Sequence, residues 1–171
     1  MNGFTVMELA WRMHDSAQSA VDRADTKAGF VAAVETALAA VVLTLVSQSG
    51  GSPLAARVLF GLALVALAVA LASALLVVVP RLHRPADKLV PGEFLYFGAV
   101  RVRSVEQLVD NHIAQAYPHE KVADPLVAVV HQAKRLADIA WTKHQWLRLS
   151  FVAAVLGVVF AVAGVLIGGA R

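Results

Sequence analysis

Apolar positions along the chain gather into three long runs. Ala28–Val46 is interrupted only by Glu35, Thr36 and Thr44, Val58–Val79 carries no charged residue, and Leu149–Ile167 carries none. Each run is close to the roughly 20 residues needed to cross a hydrocarbon core about 30 Å thick. The pattern therefore predicts three transmembrane helices, over 28–46, 58–79 and 149–167.

Outside these runs the spacing changes from continuous to periodic. Between Phe4 and Lys27, Met7, Trp11, Ala17, Val21 and Ala24 recur at helical intervals, and Asp15, Asp22 and Arg23 fall on other faces. No Pro or Gly separates this leader from the first span, so one helix is expected to run through both. The stretch SQSGGSP, Ser47–Pro53, predicts a tight turn and an antiparallel hairpin.

After the second span, Pro80 and Pro85 interrupt the helix, and LVPGEFLYFGAVRV, Leu89–Val102, reads as a loop or short extended piece. Ser104 with Gln107 forms a capping-box signal ahead of the stripe Val105, Leu108, Val109 and Ile113, and Pro118 closes that region. Asp124-Pro125 then starts a helix. Its apolar stripe of Leu126, Val129, Val130, Ala133, Ala137 and Ala140 leads to Trp141 and Trp146, placed as an aromatic belt would be. A helix from Pro125 to Ile167 is about 60 Å long at 1.5 Å per residue.

The expected architecture is an all-α integral membrane bundle with a small cytoplasmic helical layer. Its parts are a cytoplasmic leader helix (1–27), a transmembrane hairpin (28–79), a cytoplasmic helical region (80–148), a third span (149–167) and a short tail (168–171). Opposite net charges on leader and cytoplasmic region favour their docking only weakly, because surface ion pairs contribute little.

Composition reinforces the membrane reading: 58% of the 171 residues are apolar and 16% are charged, more apolar than a soluble core requires. A cleaved signal peptide is not expected, because its leader would carry Glu8, Asp15, Asp22 and Asp25. The distribution of Lys and Arg sets the orientation. Arg12, Arg23 and Lys27 precede the first span, ten bases lie between Pro80 and Arg148, the hairpin turn has none, and only Arg57 and Arg171 fall on the other side. The N-terminus and residues 80–148 are accordingly expected in the cytoplasm. The net charge of +3 follows from the same asymmetry, which anionic lipid or a phosphate-bearing ligand would also suit. The absence of cysteine excludes disulfides, thiol nucleophiles and zinc thiolate sites.

Candidate chemistry begins with Glu35, near the middle of the first span. An ionised carboxylate facing lipid there costs several kcal/mol, so Glu35 is expected to face the bundle or water, or to carry a proton. Two roles fit: a pore-lining or gating acid, or a packing residue hydrogen-bonded to Thr44, Ser73 or a neighbouring subunit. Gly157-x3-Ala161 and Gly164-x3-Gly168 on the third span permit close helix approach and oligomer formation. Three helices cannot enclose a wide channel, so a pore requires several copies.

His14-Asp15 resembles the metal-binding pair of HD phosphohydrolases, but its further His and Asp partners cannot be placed. His112, His119 and His131 lack ligand spacing, and there is no phosphate loop, GxSxG or kinase signature. No catalytic residue, metal site or cofactor is expected, and the protein is not read as an enzyme. In EFLYFGAVRVR, Glu93–Arg103, the aromatics Phe94, Tyr96 and Phe97 offer a stacking face, and Arg101 and Arg103 suit a phosphate. Lys134, Arg135 and Lys143 add charge on the long helix. The competing reading is that the aromatics fill a small core or rest on the membrane while the arginines obey the charge rule.

The order of these parts resembles the transmembrane Pycsar effector family. ADTKAG (Ala24–Gly29), the tight hairpin, EFLYFG (Glu93–Gly98), Ser104–Gln107 and HQAKRLADIAWTKHQWLRL (His131–Leu149) carry the likeness, which spans about Ala17 to Ile167. The family's membrane motif has the form ADxKA; its middle segment usually reads NLLFFG, which this chain replaces with EFLYFG.

The resemblance implies a bacterial inner-membrane protein in antiphage defence. It implies a response to cyclic UMP (cUMP) or cyclic CMP (cCMP) made by a neighbouring pyrimidine cyclase, and loss of membrane integrity that kills the infected cell by abortive infection. Region 80–148 becomes the sensor, with Phe94, Tyr96, Phe97, Arg101, Arg103, Lys134 and Arg135 as candidate ligand-binding residues. Asp25 and Lys27 are expected to fix the membrane-entering helix, and Glu35 to gate or pack the assembled path. The partners expected are the lipid bilayer, the nucleotide and further copies of the chain, with no nucleic acid. Two other readings stay open: a small structural or scaffold membrane protein that senses no nucleotide, and a membrane-tethered hydrolase using His14 and Asp15.

Overall fold

The structure, a computed structural model, describes residues 5–79 and 125–169. They form three helices: α1 (Val6–Gln48), α2 (Leu54–Val78) and α3 (Pro125–Gly169). All three are long and apolar enough to span a bilayer, and no strand occurs among the described residues. The fold is all-α, a membrane helical bundle. The Leu89–Val102 segment and the Ser104 helix lie outside the described residues.

The chain divides into two compact units, the first comprising Met1–Val21 and Pro80–Ala140, the second Asp22–Val79 and Trp141–Arg171. In the first, Thr5 and Glu8 make a capping box at the start of α1. The Thr5 N–H donates to Glu8 Oε2 (2.8 Å) and the Glu8 N–H to Thr5 Oγ1 (3.3 Å). The leader stripe differs from expectation. Of its residues Ala24 is buried, whereas Met7 and Trp11 are exposed, Trp11 lying edge-on to His14 with ring centroids 5.4 Å apart, and Ala10, off the stripe, is buried. On α3, Ala128, Val129, Ala133, Leu136 and Ala140 are buried, and Val130 points outward.

The second unit is the membrane bundle. On α2 the buried apolar residues are Ala56, Phe60, Ala63, Leu67, Ala70, Ala74 and Val77, alternating steps of four and three, and Ser73 is buried beside Ala74. That is the 3.5-residue period of a coiled-coil seam. The α3 residues Lys143, Ser150, Gly157 and Gly164 are buried at steps of seven, and Ala28, Glu35 and Val42 do the same on α1. Small residues let the backbones come close. A Cβ added at Gly157 would lie 2.9 Å from Leu67 Cγ and 3.2 Å from the Ala63 carbonyl oxygen, and one at Gly164 would lie 2.9 Å from the Phe60 ring. The Gly-x3-small pattern of α3 is thus occupied by α2 of the same chain.

Most apolar surface faces outward. Of the most apolar stretch of α1, α2 and α3, only 11%, 33% and 22% is buried. Phe30 and Phe151 are 72% and 63% exposed. In water such a surface would drive aggregation; in lipid it is the expected exterior. Three hydroxyls within the helices are satisfied locally, as a bilayer favours: Thr36 donates to the Ala32 carbonyl (2.8 Å), Thr44 to Ala40 (3.0 Å) and Ser73 to Val69 (2.8 Å).

The hairpin turn is closed by Ser52 N–H donating to the Ser49 carbonyl (2.9 Å) and by Arg57. Its guanidinium donates to the carbonyls of Ser52 (3.1 Å) and Gly50 (3.2 Å). Arg57 therefore serves the turn as well as breaking the charge asymmetry.

Candidate functional site: a polar seam between α1 and α3

Within the membrane unit, α1 and α3 meet through two polar contacts set among small and apolar residues. The outer one joins Asp25 on α1 to Lys143 on α3 by a hydrogen-bonded ion pair. The Lys143 side chain is 9% exposed and that of Asp25 37%, so the lysine is held almost out of solvent while the acid keeps part of its hydration. Ala24, Ala28 and Val77 pack beside it, with Trp146 and Leu147 against them. Trp146 is thus a packing residue as well as a belt residue, and Trp141 is exposed.

The inner contact lies ten residues further along α1, about 15 Å at helical rise. There Ser150 Oγ donates to Glu35 Oε1 (2.6 Å), and both residues are buried. The second carboxylate oxygen, Oε2, is buried without a partner among the described residues. The expected partners Thr44 and Ser73 donate to their own helices instead, and Ser150 supplies the bond.

Why Glu35 sits there follows from the period: it holds the core position between Ala28 and Val42, so its side chain must enter the bundle rather than lipid. A hydrogen bond to a charged acceptor is strong in a low-dielectric surrounding, and an unmade one costs about 1–3 kcal/mol. The seam therefore contains a satisfied and an unsatisfied half of one carboxylate. Chemically, it is a pair of interhelical locks whose inner member has spare capacity to accept a donor.

The remaining candidates are placed as follows. Lys27 is exposed on α1, off the seam, and lines an apolar groove with Arg148. Lys143, counted with the charges suited to a phosphate, is committed to Asp25. Lys134 is exposed on α3 and bridges Asp138 one turn on (3.6 Å), and Arg135 is half-buried. Phe94, Tyr96, Phe97, Arg101 and Arg103 lie outside the described residues. His14 Nδ1 stands 3.3 Å from Asp15 Oδ1, and no three metal-binding side chains converge among the described residues.

Ser150 is the functional residue that reading the spans as uncharged runs missed. The signal was present in the spacing Lys143-x6-Ser150-x6-Gly157-x6-Gly164, which sets two polar residues on one stripe with two glycines.

These features define a class: a three-span, all-α membrane protein whose transmembrane helices are joined by a buried charge pair and a buried carboxylate. The chain belongs to the family of the Pycsar effector protein domain (PycTM), whose sequence pattern matches residues 9–168. It is accordingly a membrane-associated effector of Pycsar antiphage defence. No curated protein and no solved structure matches the chain.

Proposed function

We propose that the protein senses cUMP or cCMP and, on binding it, impairs the bacterial inner membrane so that an infected cell dies before phage matures. The observation that carries this reading is the family match over residues 9–168, nearly the full chain. In this mechanism a pyrimidine cyclase supplies the nucleotide. Region 80–148 receives it in the cytoplasm, together with the N-terminus, on the side that the Lys and Arg distribution favours. Phe94, Tyr96 and Phe97 stack on the base, while Arg101, Arg103, Lys134 and Arg135 meet the phosphate. The protein acts as a receptor and not as an enzyme, and uses no cofactor, metal or nucleic acid.

Ligand acts through the helices that carry the seam. In the closed state Asp25–Lys143 and Glu35–Ser150 hold α1 against α3. A nucleotide with higher affinity for a second arrangement shifts the population toward it. Swinging the equilibrium from about 1% to about 99% open requires roughly 5.5 kcal/mol of differential binding, a scale that one or two interhelical polar contacts can tune. Because three helices are too few to enclose a wide channel, the lesion forms from several copies, with Glu35 presented to it.

Binding of labelled cUMP and cCMP to the detergent-purified full chain, with cyclic AMP and cyclic GMP as controls, tests the receptor half. Selective binding at micromolar concentration or below is expected. Folded protein that binds none of the four would remove the sensing role and leave a membrane scaffold.

A further inference from the structure

On the bilayer-facing side of the membrane unit, beside the seam, α1 and α3 leave a groove of about 700 Å³. Phe30 and Val31 line it from α1, and Leu147 and Phe151 from α3. Its polar lining is Thr26, Lys27, His144 and Arg148. On α1, Lys27, Phe30 and Val31 share a face at i, i+3 and i+4; on α3, His144, Leu147, Arg148 and Phe151 share one at i, i+3, i+4 and i+7.

Neither Lys27 nor Arg148 makes an ion pair or hydrogen bond among the described residues. Lys143, which neighbours the groove, is neutralised by Asp25. The groove thus joins two cations that the described residues leave uncompensated to an aromatic and aliphatic trough that begins where the first and third apolar runs begin.

We propose that this groove holds one anionic phospholipid, its phosphate between Lys27 and Arg148 and an acyl chain along Phe30, Val31, Leu147 and Phe151. Charge complementarity selects the headgroup, since a zwitterionic lipid offers the same phosphate together with an opposing ammonium. The position selects a lipid over a soluble phosphate ester: the trough lies along the membrane spans, and beside its polar lining of Thr26, Lys27, His144 and Arg148 it offers Phe30, Val31, Leu147 and Phe151, which suit an acyl chain rather than a ribose. A bound lipid would fill the space beside the Asp25–Lys143 pair, so lipid composition would bias the same interhelical contact. This assignment stands independently of nucleotide sensing.

The test is lipid retention by the full chain, purified in detergent, equilibrated with mixed micelles of phosphatidylglycerol and phosphatidylcholine, and read by native mass spectrometry. The wild type should retain phosphatidylglycerol over phosphatidylcholine by on the order of tenfold. Lys27→Gln with Arg148→Gln should bring that ratio near one. Arg23→Gln, which removes an exposed cation outside the groove, should leave the ratio unchanged; should the double variant fail to fold, Lys27→Gln alone should lower it.

Equal retention of the two lipids by the wild type overturns the proposal and leaves the groove to a second copy of the chain. An equal loss of preference in Arg23→Gln overturns it in favour of general surface charge. Displacement of phosphatidylglycerol by cUMP would instead make the two cations part of a nucleotide site.

Discussion

Glu35 and Ser150 carry the sharpest consequences for single side chains. Ser150→Ala removes the only donor that the described residues give to the Glu35 carboxylate and leaves both its oxygens unpaired. A loss of about 1–3 kcal/mol is expected, read as a lowered melting temperature in detergent. Glu35→Leu places an apolar side chain on a stripe that is otherwise Ala28 and Val42, so the folded bundle should be retained or gain stability. The same variant should lose killing on nucleotide production, if the carboxylate is needed in the open path. Glu35→Gln keeps the shape and the Ser150 bond; killing equal to that of the parent would assign Glu35 to packing alone. Glu35 was legible from the sequence because one acid in an apolar run stands out. Its partner was not, because a serine in a span is unremarkable until helix register pairs it with an acid more than a hundred residues away.

Helix packing makes different demands. Lys143→Met separates the pair that ties α1 to α3. The destabilisation should fall below the roughly 3–5 kcal/mol of a fully buried pair, because Asp25 stays 37% exposed and retains water. Loosening this lock should also lower the nucleotide concentration needed for membrane damage, which dose–response killing measures. At the α2–α3 contact, Gly157→Ala forces a methyl to within 2.9 Å of Leu67 Cγ and should cost about 1–3 kcal/mol. Gly61→Ala, whose added methyl meets nothing within 4 Å, should be neutral or stabilising by up to about 1 kcal/mol. Three long helices and the uninterrupted passage from leader to first span were readable, because length and apolar continuity fix them. The contact partner of the α3 glycines was not: a Gly-x3-small pattern states that something approaches closely, but not whether it is a second copy or, as here, the chain's own α2. The first turns of the leader stripe failed for a related reason, although Ala24 at its end is buried. Periodicity selects a face, and neighbours decide which residues on it are covered, so Ala10 is buried where Trp11 was expected.

For the molecule in its membrane, orientation and response are the quantities at stake. A chain without cysteine permits clean labelling of single introduced thiols. Gln48→Cys, at the end of α1, should react with an impermeant maleimide added to intact spheroplasts, and Ser16→Cys should react only after lysis; the reverse pattern would invert the topology. The sensor role of region 80–148 was read from charge and aromatic composition, and those signals name a ligand class without fixing a geometry. A proteoliposome flux assay joins the parts most directly. Purified protein is inserted into vesicles loaded with a small dye, and release is followed on adding cUMP, cCMP, cyclic AMP or cyclic GMP. Release with one of the pyrimidine nucleotides, absent with both purine nucleotides and hastened in Lys143→Met, is the expected result. Folded, inserted protein that releases no dye with either pyrimidine nucleotide, or releases it equally without ligand, would contradict a nucleotide-gated membrane lesion.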